Sequence, residues 1–187
     1  MKQYVYHMVP NDMEGDKLIP LNSLKNPYPQ LYEIYIKKYF DHPERSKLLN
    51  RQVPKLNCLW NDVLHFLPLH PHYVYQEITA LGIKTKEKQH FYKIPIQNLK
   101  NNQNAIYFYS KEKYKGPAEP IEEDQIKIVD LEDYKELTRV PSATSEYYRD
   151  ESRKGKRFGL FHYVPHFFSL GEVEIGNVEI ITWNELK

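Results

Sequence analysis

Apolar and polar positions change their spacing several times along the chain, and each change marks an element. Gln3 to Met8 crowds β-forming residues together ahead of Pro10 and the turn-like Asn11-Asp12, which predicts an opening strand. Alternation along it places Tyr4, Tyr6 and Met8 on one face and Val5 and His7 on the other. Tyr28, Leu31, Tyr35 and Tyr39 then recur at helical spacing and predict an amphipathic helix ending before His42-Pro43, with a shorter helix over Glu44 to Asn50. Lys55 to Leu69 is the densest apolar stretch, and neither the strand nor the helix period accounts for it. After Pro71, the spacing of Tyr73, Val74, Ile78 and Leu81 predicts a helix that Gly82 terminates.

The second half reads as alternating strands and short helices. His90 to Ile94 and Ala105 to Tyr109 are predicted strands on either side of a polar NLKNNQN loop, and Lys111 to Asp124 is an exposed connection rich in charge, Gly and Pro. Gln125 to Val129 is a short predicted strand, with Asp130 placed to cap a following helix. Ser142 or Thr144 can cap another helix that runs to Lys154 and stops at Gly155. Phe158 to Ser169 reads as an extended aromatic run, and Glu172 to Ile175 is expected to pair with Val178 to Thr182 across a Gly176-Asn177 hairpin turn. Together these elements predict a single α+β domain over 1–187, with a mixed or mainly antiparallel sheet, several flanking helices and a C-terminal β-hairpin.

Composition narrows the function classes. The 187 residues are 41% apolar and 27% charged, which is the balance of a folding chain. Lys plus Arg number 26 against 25 Asp plus Glu, so no net field steers the protein to nucleic acid or to an anionic membrane. No apolar stretch is long enough to span a bilayer, the N-terminal residues lack a secretory core, and the lone Cys58 sits in an apolar run. The expectation is a cytoplasmic protein with Cys58 as a small hydrophobe. Tyr is in excess, 16 against 8 Phe and 2 Trp, which suits half-wet clefts or a protein-contact surface as well as core.

Candidate chemistry lies in a few segments. His7 reads either as a hydrogen-bonded interior histidine or as a group facing a ligand. Asn61 and Asp62, set among apolar residues, need partners: a turn, a cap or a ligand. Asp62 and His65 with His70, His72, His162 and His166 make an N/O set of the type that binds zinc, but His-x4-His-x-His is no standard metal spacing and no metal is expected. Arg51 reads as a surface residue or a phosphate clamp. Glu172 and Glu174 share a strand face, which suits either a solvated hairpin or a carboxylate at the mouth of a cleft. Glycine-rich phosphate loops, nucleophile elbows and His-Glu-x-x-His patterns are absent from the sequence.

The opening Tyr6-His7, followed by a loop into PLNSLK, resembles the start of compact ADP-ribosyltransferase-like domains, a broad group that includes DNA- and RNA-modifying toxins. FHYVPHFF is similar to the Tyr-Val-Pro strand of some of these toxins, here Tyr163, Val164 and Pro165. The resemblance implies an enzyme that cleaves the nicotinamide bond of NAD and passes ADP-ribose to an acceptor. It implies His7 as the residue holding the nicotinamide ribose, and Glu174 or Glu172 as the catalytic acid. Arg51, Asn61, Asp62 and Tyr163 complete the expected cofactor-binding set. A non-catalytic Tyr-rich interaction domain and a His/Asp metal enzyme are the competing readings.

Overall fold

The computed structural model describes residues 2–155 and 158–186. In chain order the elements are strands β1 (Tyr4–Met8) and β2 (Lys17–Leu18), helices α1 (Leu21–Leu24) and α2 (Pro29–Ile36), and strands β3 (Gln52–Val53), β4 (Cys58–Leu59) and β5 (Leu64–Phe66). Helix α3 (Pro71–Ala80) precedes strands β6 (His90–Pro95), β7 (Gln103–Tyr107) and β8 (Ile126–Ile128). Helix α4 (Ser142–Arg153) leads to β9 (His166–Leu170), β10 (Val173–Glu174) and β11 (Glu179–Thr182). The class is α+β, and the named strands pair antiparallel throughout.

Two sheets, β11-β6-β1 and β5-β9-β7-β8, meet at one residue pair. Tyr6 N donates to Leu67 O at 3.0 Å and Leu67 N to Tyr6 O at 2.8 Å, so β1 and β5 run side by side and the strands form one continuous series. β1 is therefore central, and both of its faces are buried. Val5 packs with Leu64, Phe66 and Ile94, while Tyr6 packs with Leu67, Phe91 and Tyr148, as the alternation predicts. Helices α3 and α4 cover the Tyr6 face through Val74, Ile78 and Tyr148, each fully buried.

Local chemistry explains the elements that match the patterning. Pro71 opens α3, where a missing N–H costs nothing, and the Nδ1 of His70 accepts from His72 N at 3.2 Å. Gly82, at φ +70°, ends α3 with Ile83 N bonded back to Ile78 O at 3.2 Å, the helix stop that its position predicts. Lys55 to Leu69 resists both periods because it holds three short pieces: β4, a 3-10 turn over Trp60–Asp62, and β5. It begins with two non-glycine residues in the left-handed region, Lys55 at φ 64° and Asn57 at φ 51°.

Four expectations are corrected. β10 and β11 do not form a hairpin: Val173 and Glu174 pair with Leu18 and Lys17, and β11 pairs with β6. The turn exists, with Val178 N donating to Ile175 O at 3.2 Å, but neither Gly176 nor Asn177 takes positive φ. Such a turn lacks the twist that keeps two strands together, and they part to separate partners. Asp130 caps no helix; its Oδ1 accepts from Glu132 N at 3.0 Å in a local turn, and the chain goes on to place Glu136 against Tyr4 N and Tyr6 Oη. Ser142 is the first residue of α4 rather than its cap, Pro141 preceding it, and Thr144 is wholly buried within the helix. Phe158 to Pro165 is not extended but a run of turns with Tyr163 at φ 61°, and only His166–Leu170 is strand.

Candidate functional site

A cleft of about 420 Å³ opens where β1 ends and β5 begins, within the size range of small-molecule sites. His7 from β1, His65 from β5, and Trp60 and Asn61 from the intervening 3-10 turn form one side. Leu21 and Leu24 of α1 and Leu31 of α2 add apolar lining, and Tyr35, Tyr39 and the Lys38 cation complete it. The stripe of α2 that reads as a core face thus also walls a cavity. Asp12, Glu14 and Lys17, all exposed, stand at its mouth.

The two imidazoles are held in defined states by backbone carbonyls. His7 Nδ1 lies 2.7 Å from Met8 O and His65 Nε2 lies 2.9 Å from Trp60 O. A carbonyl only accepts, so each of those nitrogens carries the proton and the other ring nitrogen is the acceptor. Burial keeps both rings neutral: His7 is pushed down to about 4, and His65 to about 3, where the neighbouring His166 adds to the effect of burial. Asn61 is 3% exposed; its Oδ1 accepts from the Tyr39 hydroxyl at 2.6 Å, while its Nδ2 has no partner. A buried amide with unmet donors is a costly feature unless something in the cavity accepts from it. The cleft therefore offers two ring acceptors, an amide donor and the Lys38 cation, with Leu21, Leu24 and Leu31 as apolar lining.

The other expected site residues divide. Asp62 takes the turn role: its Oδ1 accepts from Asn22 Nδ2 and its Oδ2 from Leu59 N, both at 2.7 Å, which fixes the 3-10 turn under Asn61. Glu172 and Glu174 do not line the cleft. They are 51% and 62% exposed and share Lys17, at 3.4 and 3.0 Å. The reason is the β10-β2 pairing, which sets Glu174 opposite Lys17. Arg51 and Tyr163 also lie outside it, in a cluster beyond Trp60. Arg51 is 7% exposed with its Cζ 5.0 Å from the Trp60 ring centroid, and Tyr163 lies 5.6 Å from Tyr109, ring to ring.

The proposed metal set does not converge. His65 and His166 are neighbours, 6.2 Å between ring centroids, but His70 packs on Tyr6 and His162 stacks on Tyr147. Among the described residues no group of three or more His, Cys, Asp or Glu is disposed to hold a metal ion. Burial pushes the Cys58 thiol up to about 11, so it is no thiolate nucleophile at neutral pH. Sequence reasoning passed over Trp60 and Tyr39 as cleft residues; their meeting is tertiary, the Tyr39 hydroxyl in the 3-10 turn after α2 bonding Asn61 of the Trp60–Asp62 turn.

Fold and site together define an antiparallel α+β protein with two half-buried, carbonyl-pinned histidines lining one cleft. No family model matches the chain, and neither a curated protein nor a solved structure matches it. No described helix is long and apolar enough to cross a membrane.

Proposed function

We propose that the His7 cleft binds a small ribose-bearing ligand, and that NAD, cleaved at its nicotinamide bond, is the substrate. The observation that carries the binding reading is Asn61, a residue that lines the cavity holding His7 and whose buried Nδ2 is unpaired. A protein-contact surface has no use for a donor placed there, whereas an enclosed ligand does. The Nε2 of His7 accepts from a ribose hydroxyl, Asn61 donates to the ligand, and Trp60 offers a ring face.

In this reading the nicotinamide leaves as a neutral amide, taking the electron pair of its bond to the ribose, and water or an acceptor nucleophile attacks the cationic carbon. A carboxylate steadies that positive centre. Glu172 and Glu174 are outside the cleft, so the role passes to Asp12 or Glu14, which stand at its mouth. The test is to incubate the full chain with NAD, measuring nicotinamide release by chromatography and binding by Trp fluorescence. Release that falls in both His7→Ala and Asn61→Ala supports the reading. Neither binding nor release removes it.

A further inference from the structure

We propose a second binding site, for a phosphate-type oxyanion, at Arg51. Arg51 is more than nine-tenths buried, and its Nε, buried too, has no hydrogen-bond partner. Among the described residues no carboxylate pairs with it. It is held instead by ring faces, with Cζ 5.0 Å from Trp60 and 5.9 Å from both Tyr107 and Tyr114, and by a hydrogen bond to the Tyr107 hydroxyl. Ring faces offset part of the cost of burying a cation but leave its charge uncompensated and its Nε–H unmet. An oxyanion meets both needs, because a guanidinium presents a planar fork that fits two of its oxygens.

The groups around Arg51 suit the same occupant. Tyr107 and His166 adjoin it, and next to them the Tyr109 hydroxyl is 2.9 Å from His162 Nδ1. None of these brings a negative charge, and a tyrosine hydroxyl that accepts from the guanidinium, as Tyr107 does, keeps its own proton to donate to an anion. The cluster is also where non-glycine backbone is forced into the left-handed region, at Tyr109 with φ 50° and at Tyr163 with φ 61°. Such geometry is held at a cost and concentrates where side chains must be aimed.

Tyr114 is the wall that gives access. It lies in the connection between β7 and β8, and it is half-buried. That connection is tied down by solvent-exposed ion pairs, Lys111 to Glu146 at 2.9 Å and Lys113 to Glu122 at 3.1 Å, which are weak in water. Outward rotation of Tyr114 uncovers the guanidinium while Trp60 and Tyr107 stay in place.

The test is NMR observation of the Arg51 Nε–H while inorganic phosphate is added at constant ionic strength, with chloride as the control anion. The expected result is a saturable shift of that resonance by phosphate and none by chloride. Thermal unfolding gives the second arm: phosphate raises the midpoint of the native chain and of Tyr114→Ala, and leaves that of Arg51→Met unchanged. No saturable shift in the native protein overturns the site, and so does a phosphate response that survives in Arg51→Met. If Arg51→Met fails to fold, the native NMR titration decides alone. The result is independent of NAD binding at the His7 cleft.

Discussion

The His7 cleft and the Arg51 cluster share Trp60 as a wall, and they bury polar groups in different ways. In the cleft, each imidazole is fixed by a carbonyl close by in sequence: Met8 O for His7 and Trp60 O for His65. Around Arg51 the partners come from distant segments and are mostly rings: Trp60, Tyr107 and Tyr114. The two imidazoles and the Asn61 amide are neutral and directional, so they select a ligand by its hydroxyl and amide pattern, beside the Lys38 cation that shares the lining. The Arg51 cluster holds a full charge in a weakly directional cage, so it selects by charge. One aromatic residue thus separates two kinds of recognition.

Acid gives the largest expected effect and bears on both regions. Burial pushes His7, His70 and His166 down to about 4 and His65 to about 3. In the unfolded chain each takes a proton near the ordinary histidine value of about 6.5, so between that value and the native one the unfolded state binds more protons. Stability is unaffected above this window and falls as pH drops through it. The slope is up to about 1.4 kcal/mol per pH unit for each histidine, and it levels off once the native rings protonate. Urea unfolding at a series of pH values between 7 and 4 checks this, and a flat profile would break the account of both regions.

Next comes the packing that the two regions share. Phe168 is fully buried and touches Trp60, His65 and Tyr107, at ring distances of 5.4, 4.8 and 5.7 Å. Phe168→Ala is expected to cost about 3–5 kcal/mol. The cost is read by denaturant unfolding, and ligand binding at both sites weakens with it. Tyr39→Phe acts on the cleft alone: it leaves Asn61 Oδ1 without its donor and costs about 1–3 kcal/mol in the same assay. It leaves the phosphate response at Arg51 intact.

The smallest effect separates the cleft from the closing strands. Glu172→Gln and Glu174→Gln each remove one exposed partner of Lys17, in solvent-screened pairs, and leave stability nearly unchanged. NAD turnover is expected to be unchanged in both. A loss of turnover at full stability would return the catalytic acid to β10 and overturn its placement at Asp12 or Glu14.

These two regions also show what patterning can and cannot reach. The faces of β1, the stripe of α2 and the Pro71-to-Gly82 limits of α3 follow from local rules, so they are readable from spacing alone. His7 and Asn61 stand out because polar groups in apolar runs need partners. Their meeting in one cavity depends on the single Tyr6–Leu67 bridge between β1 and β5, which no local signal encodes. The Gly176-Asn177 turn misleads because its residues permit a hairpin, while the partners of β10 and β11, in β2 and β6, are remote in sequence. Arg51 reads as a surface residue because its cage is assembled from three separate segments, around Trp60, Tyr107 and Tyr114.

The most direct test is to follow the side-chain amide of Asn61 and the ring nitrogens of His7 by NMR while NAD is added. Both signals should move together and saturate at one dissociation constant, with His7 Nε2 shifting as it accepts a hydrogen bond. Saturation that perturbs other residues while Asn61 and His7 stay still would contradict the account.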